Sequence, residues 1–359
     1  MQVDPREDKS VGSEARPAAT VPPPPATRWW WLRKLLTQRS VQIAIAVWVA
    51  GNLAVIALAG GHLPFHQPAM HGKSFGSQLL APNLAIVEVL LLMALVVGLT
   101  RRRMVPDVGE RAPERLLAAR ETGWTIVYGI AGLIGGFVVG RALGFHPISF
   151  HLTGTLYGSD DVVTPTEVWV WAAYNFVVFA VGPYLYFRRR YTSEQLNLKS
   201  SNVRGDLKVI VVVLVVESVV ELLGFSSAIF GLAPRQLLAG IPLTFVVYFF
   251  GTVLPTMVFI QCVLVPRFKR LTGSTATTVI LGGITYTLLH CYDGWLAYDS
   301  TRATVLSLIF LMLQYLGPGM FKTVLTLRTG NAWVHAWAYH AIAPHTLADT
   351  PNIVNIFRL

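Results

Sequence analysis

Residues 238–264 read LAGIPLTFVVYFFGTVLPTMVFIQCVL, an apolar run that contains no Asp, Glu, Lys or Arg. A helix needs about 20 predominantly apolar residues to cross roughly 30 Å of bilayer hydrocarbon, and this run exceeds that length. Similar runs recur along the 359-residue chain. Because they do not alternate apolar with polar side chains, they differ from the strands of a membrane β-barrel. The pattern predicts membrane-spanning helices.

Composition leads to the same class of protein. Hydrophobic residues make up 53% of the chain, charged residues only 13%, and the mean hydropathy is +0.52. Soluble domains carry about 25% charged residues. We therefore expect an all-α fold, a polytopic integral membrane helical bundle of about 8–9 transmembrane helices. The expected spans are 41–60, 79–100, 122–143, 167–187, 207–230, 238–264, 275–295, 303–321 and 331–346.

The formal net charge of +10 does not indicate a nucleic-acid partner. The positive residues lie in short clusters beside the apolar runs, namely 101–103, 188–190, and Arg267 with Lys269 and Arg270. Cytoplasmic loops of membrane proteins carry such an excess of Lys and Arg. The clusters predict a multi-pass protein of the cytoplasmic (plasma) membrane with a cytoplasmic N-terminus. The expected partner of the clusters is anionic membrane lipid, and no nucleic acid is expected.

The chain divides into four regions. Residues 1–40 combine VPPPPA at 21–26 with Trp and Arg residues near the first span. They predict a disordered cytoplasmic tail that ends in an interfacial segment. Residues 41–190 are expected to form N-terminal transmembrane helices, residues 191–346 a core of helices, and residues 347–359 a C-terminal tail.

Two carboxylates fall within one apolar run. Glu217 and Glu221 are four residues apart and therefore share one face of a helix. A carboxylate at the bilayer centre costs about 3 kcal/mol on insertion scales, so both should point into the bundle. They are either a hydrogen-bonded structural pair or a catalytic or proton-handling pair. Isolated polar residues in other runs, Asn52 and Glu88, are expected to contribute to helix packing.

Four histidines also lie in or beside apolar runs near the C-terminus. An ionisable residue within the membrane usually marks a functional site. On an α-helix, His335 and His340 are about 140° apart and are not expected to share a face. His290 and His340 belong to different helices and can converge, with His345 nearby. The remaining histidines are expected to be solvated loop residues: His62, His66, His71, His146 and His151.

Three stretches of the C-terminal half carry a resemblance to a known family. Residues 193–207 read SEQLNLKSSNVRGDL, residues 286–290 read YTLLH, and residues 327–333 read LRTGNAW and lead to His340. In this order they resemble the CPBP family, the type II CAAX prenyl endopeptidases and bacteriocin-processing proteins. The first stretch resembles the juxtamembrane segment that precedes the family core. The other two resemble the family's second motif and the approach to its third.

The resemblance implies an intramembrane endopeptidase that depends on a glutamate base, a histidine and a polar group for the oxyanion. Two positions depart from the family pattern. Residues 256–261 read TMVFIQ where the family has a Glu-Glu pair followed by Arg, and Pro344 stands where a polar residue should follow His340. Either Glu217 or Glu221 supplies the base and His345 the polar group, or the chain is an inactive pseudoprotease used for membrane binding or assembly.

The expected catalytic residues are therefore Glu217, Glu221, His290, His340 and His345. The expected substrate is a membrane-embedded or lipidated peptide or protein, and a proton-coupled transporter is a third alternative. The endopeptidase interpretation requires no cofactor. Zinc stays open because two histidines with a glutamate can bind it, although the chain has no His-Glu-x-x-His motif. The two cysteines, Cys262 and Cys291, match no metal or redox spacing.

Overall fold

The computed structural model describes residues 35–65, 73–153, 163–224 and 226–359. The predicted tail up to residue 34, together with His66 and His71, lies outside these ranges. Within them every regular element is helical and no strand occurs. The helices are α1 Arg39–Ala59, α2 Phe75–Thr100, α3 Arg115–Ala142, α4 Pro165–Arg188, α5 Val203–Gly224, α6 Pro234–Thr272, α7 Thr275–Leu288, α8 Thr301–Thr329 and α9 332–357. Short 3₁₀ turns at Val108–Arg111 and Ser227–Gly231 complete the list.

The predicted all-α membrane bundle is confirmed. Each of the nine expected spans overlaps a helical segment of the described chain, although the helices at the expected spans 207–230 and 275–295 end earlier, at Gly224 and Leu288. By length and composition, six of these helices can cross a membrane, namely α1, α2, α3, α4, α6 and α8, and α7 is a shorter apolar helix. α5 is not in that set because its 22 residues include several charged side chains, among them Asp206, Lys208, Glu217 and Glu221. α9 is interrupted by π-helical turns.

The bundle is organised around α8. In the most apolar 18 residues of α8, 61% of the residues are buried, against 6% in the corresponding stretch of α1. α8 is therefore central, and α1 lies at the outside of the bundle. α7 packs closely along α8 because small residues line the contact. A Cβ added to Gly282 would lie 2.1 Å from Thr323 Oγ1. Small residues at helix contacts of this kind let backbones approach closely in membrane bundles.

The start of α9 is fixed by polar contacts at one end of the bundle. Asp206 accepts hydrogen bonds from Arg103 at 2.8 Å and from Asn331 Nδ2 at 2.9 Å. The backbone N–H of Ala332 donates to the carbonyl of Asn197 at 2.7 Å. Asp206 and Asn197 both belong to the segment predicted to precede the core. That segment therefore determines where α9 begins.

Arg267 differs from the sequence interpretation. It was expected in a cytoplasmic cluster beside a span, but only 1% of it is exposed. Its guanidinium binds Glu121 Oε2 at 2.5 Å, and its centre lies 4.5 Å from the ring centroid of Phe187. Tyr191 donates a hydrogen bond to the other oxygen of Glu121 at 2.7 Å. The ion pair joins α3 to α6, and no local sequence pattern predicts it because its partners are 146 residues apart.

The isolated polar residues connect helices, as predicted for Asn52. Asn83 Nδ2 donates to Asn52 Oδ1 at 2.7 Å, and Trp48 Nε1 donates to Asn83 Oδ1 at 2.9 Å, which links α1 to α2. The carboxyl group of Glu88 on α2 lies close enough to that of Glu217 on α5 for the two to interact electrostatically. The C-terminal region expected to be a tail continues instead as the helix Ala348–Phe357 and packs on α6.

Candidate functional site

The histidines of α9 are aligned by π-helical turns. The segments Ala336–His340 and Ile342–Leu347 are π-helical. A π turn bonds residues five apart, as in Ala341 N to Ala336 O at 2.9 Å and Thr346 N to Ala341 O at 3.3 Å. The ring centroids of His335 and His340 are 5.7 Å apart, and those of His340 and His345 are 5.0 Å apart. The prediction that His335 and His340 point apart is wrong because it assumed an α-helix.

His290 reaches this row of histidines from the end of α7. Its ring stacks on Tyr315 with a centroid distance of 4.0 Å and an interplanar angle of 11°. Tyr286 lies beside both histidines, with its ring centroid 4.7 Å from that of His290 and 5.9 Å from that of His340. Its hydroxyl is 3.4 Å from His340 Nε2. The structure thus brings together His290, His340 and His345, three of the predicted residues.

A fifth histidine, His151, enters from the loop between α3 and α4. It is 5% exposed, so the prediction of a solvated loop histidine is wrong for this residue. Its ring centroid lies 6.2 Å from that of His290 and 6.0 Å from that of His345. The loop folds inward because Trp171 Nε1 donates to the Ser149 carbonyl at 2.7 Å. The apolar neighbours of His151 in PISFHL were a signal for its burial.

Two of the other predicted loop histidines, His62 and His146, lie within the described residues. His62 is exposed, in agreement with its expected solvation. His146 is partly covered and its Nδ1 lies 2.7 Å from Glu167 Oε1.

Two histidines of the cluster are paired with aspartates. His290 Nδ1 lies 3.1 Å from Asp293 Oδ2, and His345 Nδ1 lies 3.2 Å from Asp349 Oδ2. Asp293 also accepts a hydrogen bond from Tyr315 at 2.7 Å. All four groups of the two pairs are buried. A carboxylate on Nδ1 fixes the orientation and tautomer of the ring and leaves Nε2 for chemistry.

Several ring nitrogens of the cluster have no hydrogen-bond partner among the residues that the structure describes. They are Nε2 of His290, His335 and His345, and Nδ1 of His340. Buried polar atoms in proteins are bonded in the large majority of cases. A concentration of four unsatisfied nitrogens in one place indicates a site that receives a polar group.

The two predicted glutamates interact with other residues. Glu221 accepts a hydrogen bond from Ser226 at 2.5 Å, and Glu217 interacts electrostatically with Glu88. In the described part of the chain neither glutamate bonds to His290 or His340. Both carboxylates point into the bundle, as expected from the cost of exposing them to lipid.

Lys322 lies close to Glu217 and to the aromatic ring beside the histidines. Sequence reasoning passed over this residue, which is 1% exposed. Its Nζ lies 3.5 Å from the ring centroid of Tyr286, and its charge interacts with that of Glu217. A cation over an aromatic face is stabilised by the ring quadrupole. Lys322 therefore contacts the aromatic ring next to which His290 and His340 lie.

The position at which the resemblance would place a pair of carboxylates lies against α9. Thr256 is fully buried, and Met257 belongs to one apolar cluster with Ala336 and Ala341 of α9. An apolar contact therefore stands where the resemblance would place an acid. The acids of this chain that do contact a histidine of the cluster, Asp293 and Asp349, come from other segments.

Comparison with known proteins gives no relative: no protein-family model, no curated protein and no solved structure matches this chain.

Proposed function

We propose that the chain is an intramembrane hydrolase of the endopeptidase type, which acts on a membrane-embedded or lipidated peptide at the histidine cluster. The observation that carries this proposal is the pair formed by His290 and Asp293. Its Nδ1 contact of 3.1 Å orients a buried imidazole whose Nε2 has no partner in the described chain. This is the arrangement of a histidine general base supported by a carboxylate.

The chemistry follows from these contacts. His290 Nε2 takes a proton from water as the water oxygen attacks the peptide carbonyl carbon. Asp293 stabilises the imidazolium, and Tyr286, whose ring adjoins His290, donates a hydrogen bond to the developing oxyanion in this proposal. When the C–N bond breaks, His290 returns the proton to the leaving amine. His290 is the general base in this assignment, and neither Glu217 nor Glu221 takes part in the proton transfer.

The orientation in the membrane is part of the proposal. The Arg clusters at 101–103 and 188–190 flank α2 and α4, and Arg101, Arg102 and the second cluster are exposed. A positive-inside arrangement places these ends, and the N-terminus, on the cytoplasmic side of the plasma membrane.

Cleavage of membrane peptides by the purified protein in proteoliposomes tests the proposal. We expect His290→Ala and Asp293→Asn to lower the rate by about 10²–10⁴-fold, the contribution of a general base. Glu217→Gln and Glu221→Gln should cleave at close to the wild-type rate, and His62→Ala serves as the exposed control. If the wild type cleaves no member of a broad panel of membrane and lipidated peptides, the hydrolase proposal fails.

A non-enzymatic role is the second candidate, and the apolar contact of Met257 with α9 favours it. In that case the histidine cluster is retained for binding or assembly with a membrane partner. Copurification of a stoichiometric membrane protein, together with no cleavage, would support this candidate.

The contact of Glu88 with Glu217, next to Lys322, favours proton handling as a third candidate. Proton flux in proteoliposomes tests it, and the absence of flux excludes it.

A further inference from the structure

We propose that His151, His345 and Asp349 form a binding site for one divalent transition-metal ion of the zinc type. Each of the three residues offers one ligand atom, and these atoms lie within 4.8 Å of one another. His151 lies in the loop between α3 and α4, His345 in the second π-helical segment of α9, and Asp349 in the α-helical segment Ala348–Phe357 at the end of α9. The site does not rest on the proposed hydrolase activity, because metal binding can be measured without a substrate.

The spacing of the donors fits a small ion. Ligands about 2.0–2.2 Å from a tetrahedral zinc ion lie about 3.5 Å from each other. The side chains of His345 and Asp349 are already adjacent, since they are joined by a contact of 3.2 Å between Nδ1 and Oδ2. All three donor atoms lie within 4.8 Å of one another, so side-chain movements of about 1 Å bring them to the zinc spacing.

The identity of the donors selects the class of metal. Two imidazoles and one carboxylate are a ligand set of catalytic zinc sites, which leave a fourth position open. Calcium and magnesium prefer sites made of oxygen atoms, so two histidines disfavour them. The absence of a cysteine from the triad disfavours copper(I), which prefers thiolate and thioether ligands.

Burial supplies an independent argument. His151 and His345 are 5% and 4% exposed, and Asp349 is 0% exposed. A buried carboxylate is costly unless it is paired with a cation or coordinates a metal. The ring of His345 is also held in place by Tyr248, which stacks on it at 4.7 Å and 13°. A metal ion held by these donors adds positive charge beside the buried carboxylate of Asp349, and the stack on Tyr248 fixes the orientation of the His345 ring.

The proposed metal site lies beside His290 and His340, two other histidines of the cluster. The ring centroid of His290 is 6.2 Å from that of His151, and the ring centroid of His340 is 5.0 Å from that of His345. Both rings carry a nitrogen without a hydrogen-bond partner in the described chain. The fourth metal position accordingly faces groups that can hydrogen-bond to a metal-bound water.

The test uses the full chain, without a histidine tag, in detergent or nanodiscs. The protein is treated with a chelator and titrated with Zn²⁺ or Co²⁺, and binding is followed by calorimetry and elemental analysis. We expect one equivalent to bind, and His151→Gln, His345→Gln and Asp349→Asn each to weaken the affinity about 100-fold or more. His62→Ala and His146→Gln are matched histidine controls and should bind as the wild type does.

Two measurements on the wild type do not depend on whether the variants fold. X-ray absorption of the zinc-loaded protein should show two imidazole nitrogens with oxygen ligands. The melting temperature should rise with metal concentration because only the folded state holds the site. Sulfur ligation, no bound equivalent in the loaded wild type, or unchanged affinity in folded His151→Gln and Asp349→Asn would each overturn the proposal.

Discussion

Tyr315 holds His290 in two ways. Its ring stacks on the imidazole at a centroid distance of 4.0 Å, and its hydroxyl donates at 2.7 Å to Asp293, the residue that contacts His290 Nδ1. One side chain of α8 therefore fixes both the plane of the histidine and the carboxylate that supports it. This relationship gives the proposed general base its orientation.

The substitution Tyr315→Phe tests this support. The ring stack stays and the hydrogen bond to Asp293 is lost, and a hydrogen bond to a charged group contributes about 1.5–3 kcal/mol. We expect about a tenfold loss of kcat in the peptide assay with KM unchanged, because positioning and not binding is affected. Tyr184→Phe, at an exposed tyrosine of α4, is the control. Equal kcat for Tyr315→Phe and wild type would exclude a positioning role.

The buried pair of Glu121 and Arg267 should be a major determinant of stability. Removal of one partner leaves an uncompensated buried charge, so Glu121→Gln or Arg267→Met should cost about 3–5 kcal/mol of unfolding free energy. The double replacement Glu121→Leu with Arg267→Met should recover much of that loss. Thermal unfolding in detergent measures these effects, and Arg189→Gln, at an exposed arginine, should have no effect. A single variant as stable as wild type contradicts the prediction.

The hydroxyl of Tyr191 makes this network sensitive to alkaline pH. Burial, and then the hydrogen bond to Glu121, raise the pKa of Tyr191 from 10.0 to about 12. A raised pKa means that the folded state binds the proton more tightly than the unfolded state. The stabilisation is therefore complete below pH 10 and is lost as the pH rises towards 12.

Tyr191→Phe isolates this contribution. Between about pH 9 and about pH 11.5 the melting temperature of wild type should fall more than that of the variant. Parallel decreases in the two proteins would show that the Tyr191 hydroxyl does not contribute.

The contact of α7 with α8 should tolerate no side chain at Gly282. An added Cβ meets Thr323 Oγ1 at 2.1 Å, so Gly282→Ala should overpack the interface and cost about 1–3 kcal/mol. Gly123→Ala is the matched control, because a Cβ at this exposed position of α3 meets nothing within 4 Å. The control should be neutral or stabilising by up to about 1 kcal/mol, since Ala is the better helix former. Unfolding of the two variants in detergent gives the comparison.

Much of the candidate site was accessible to sequence reasoning. His290, His340 and His345 were identified because ionisable side chains inside apolar runs are costly and rare. Glu217 and Glu221 were placed on one buried face for the same reason. A position between two spans predicts a solvated loop for His151. The contact of Trp171 with Ser149 instead folds this loop into the bundle.

The sequence by itself determined the helical membrane class, the approximate helix positions and the inward direction of the carboxylates. These properties follow from local composition and periodicity, because lipid offers no partner to a polar group. Only the tertiary structure decided how residues far apart meet. The π turns of α9 align His335, His340 and His345, and neither the pairing of Arg267 with Glu121 nor the approach of His151 to Asp349 follows from spacing. Such contacts depend on how whole helices pack, which no local pattern encodes.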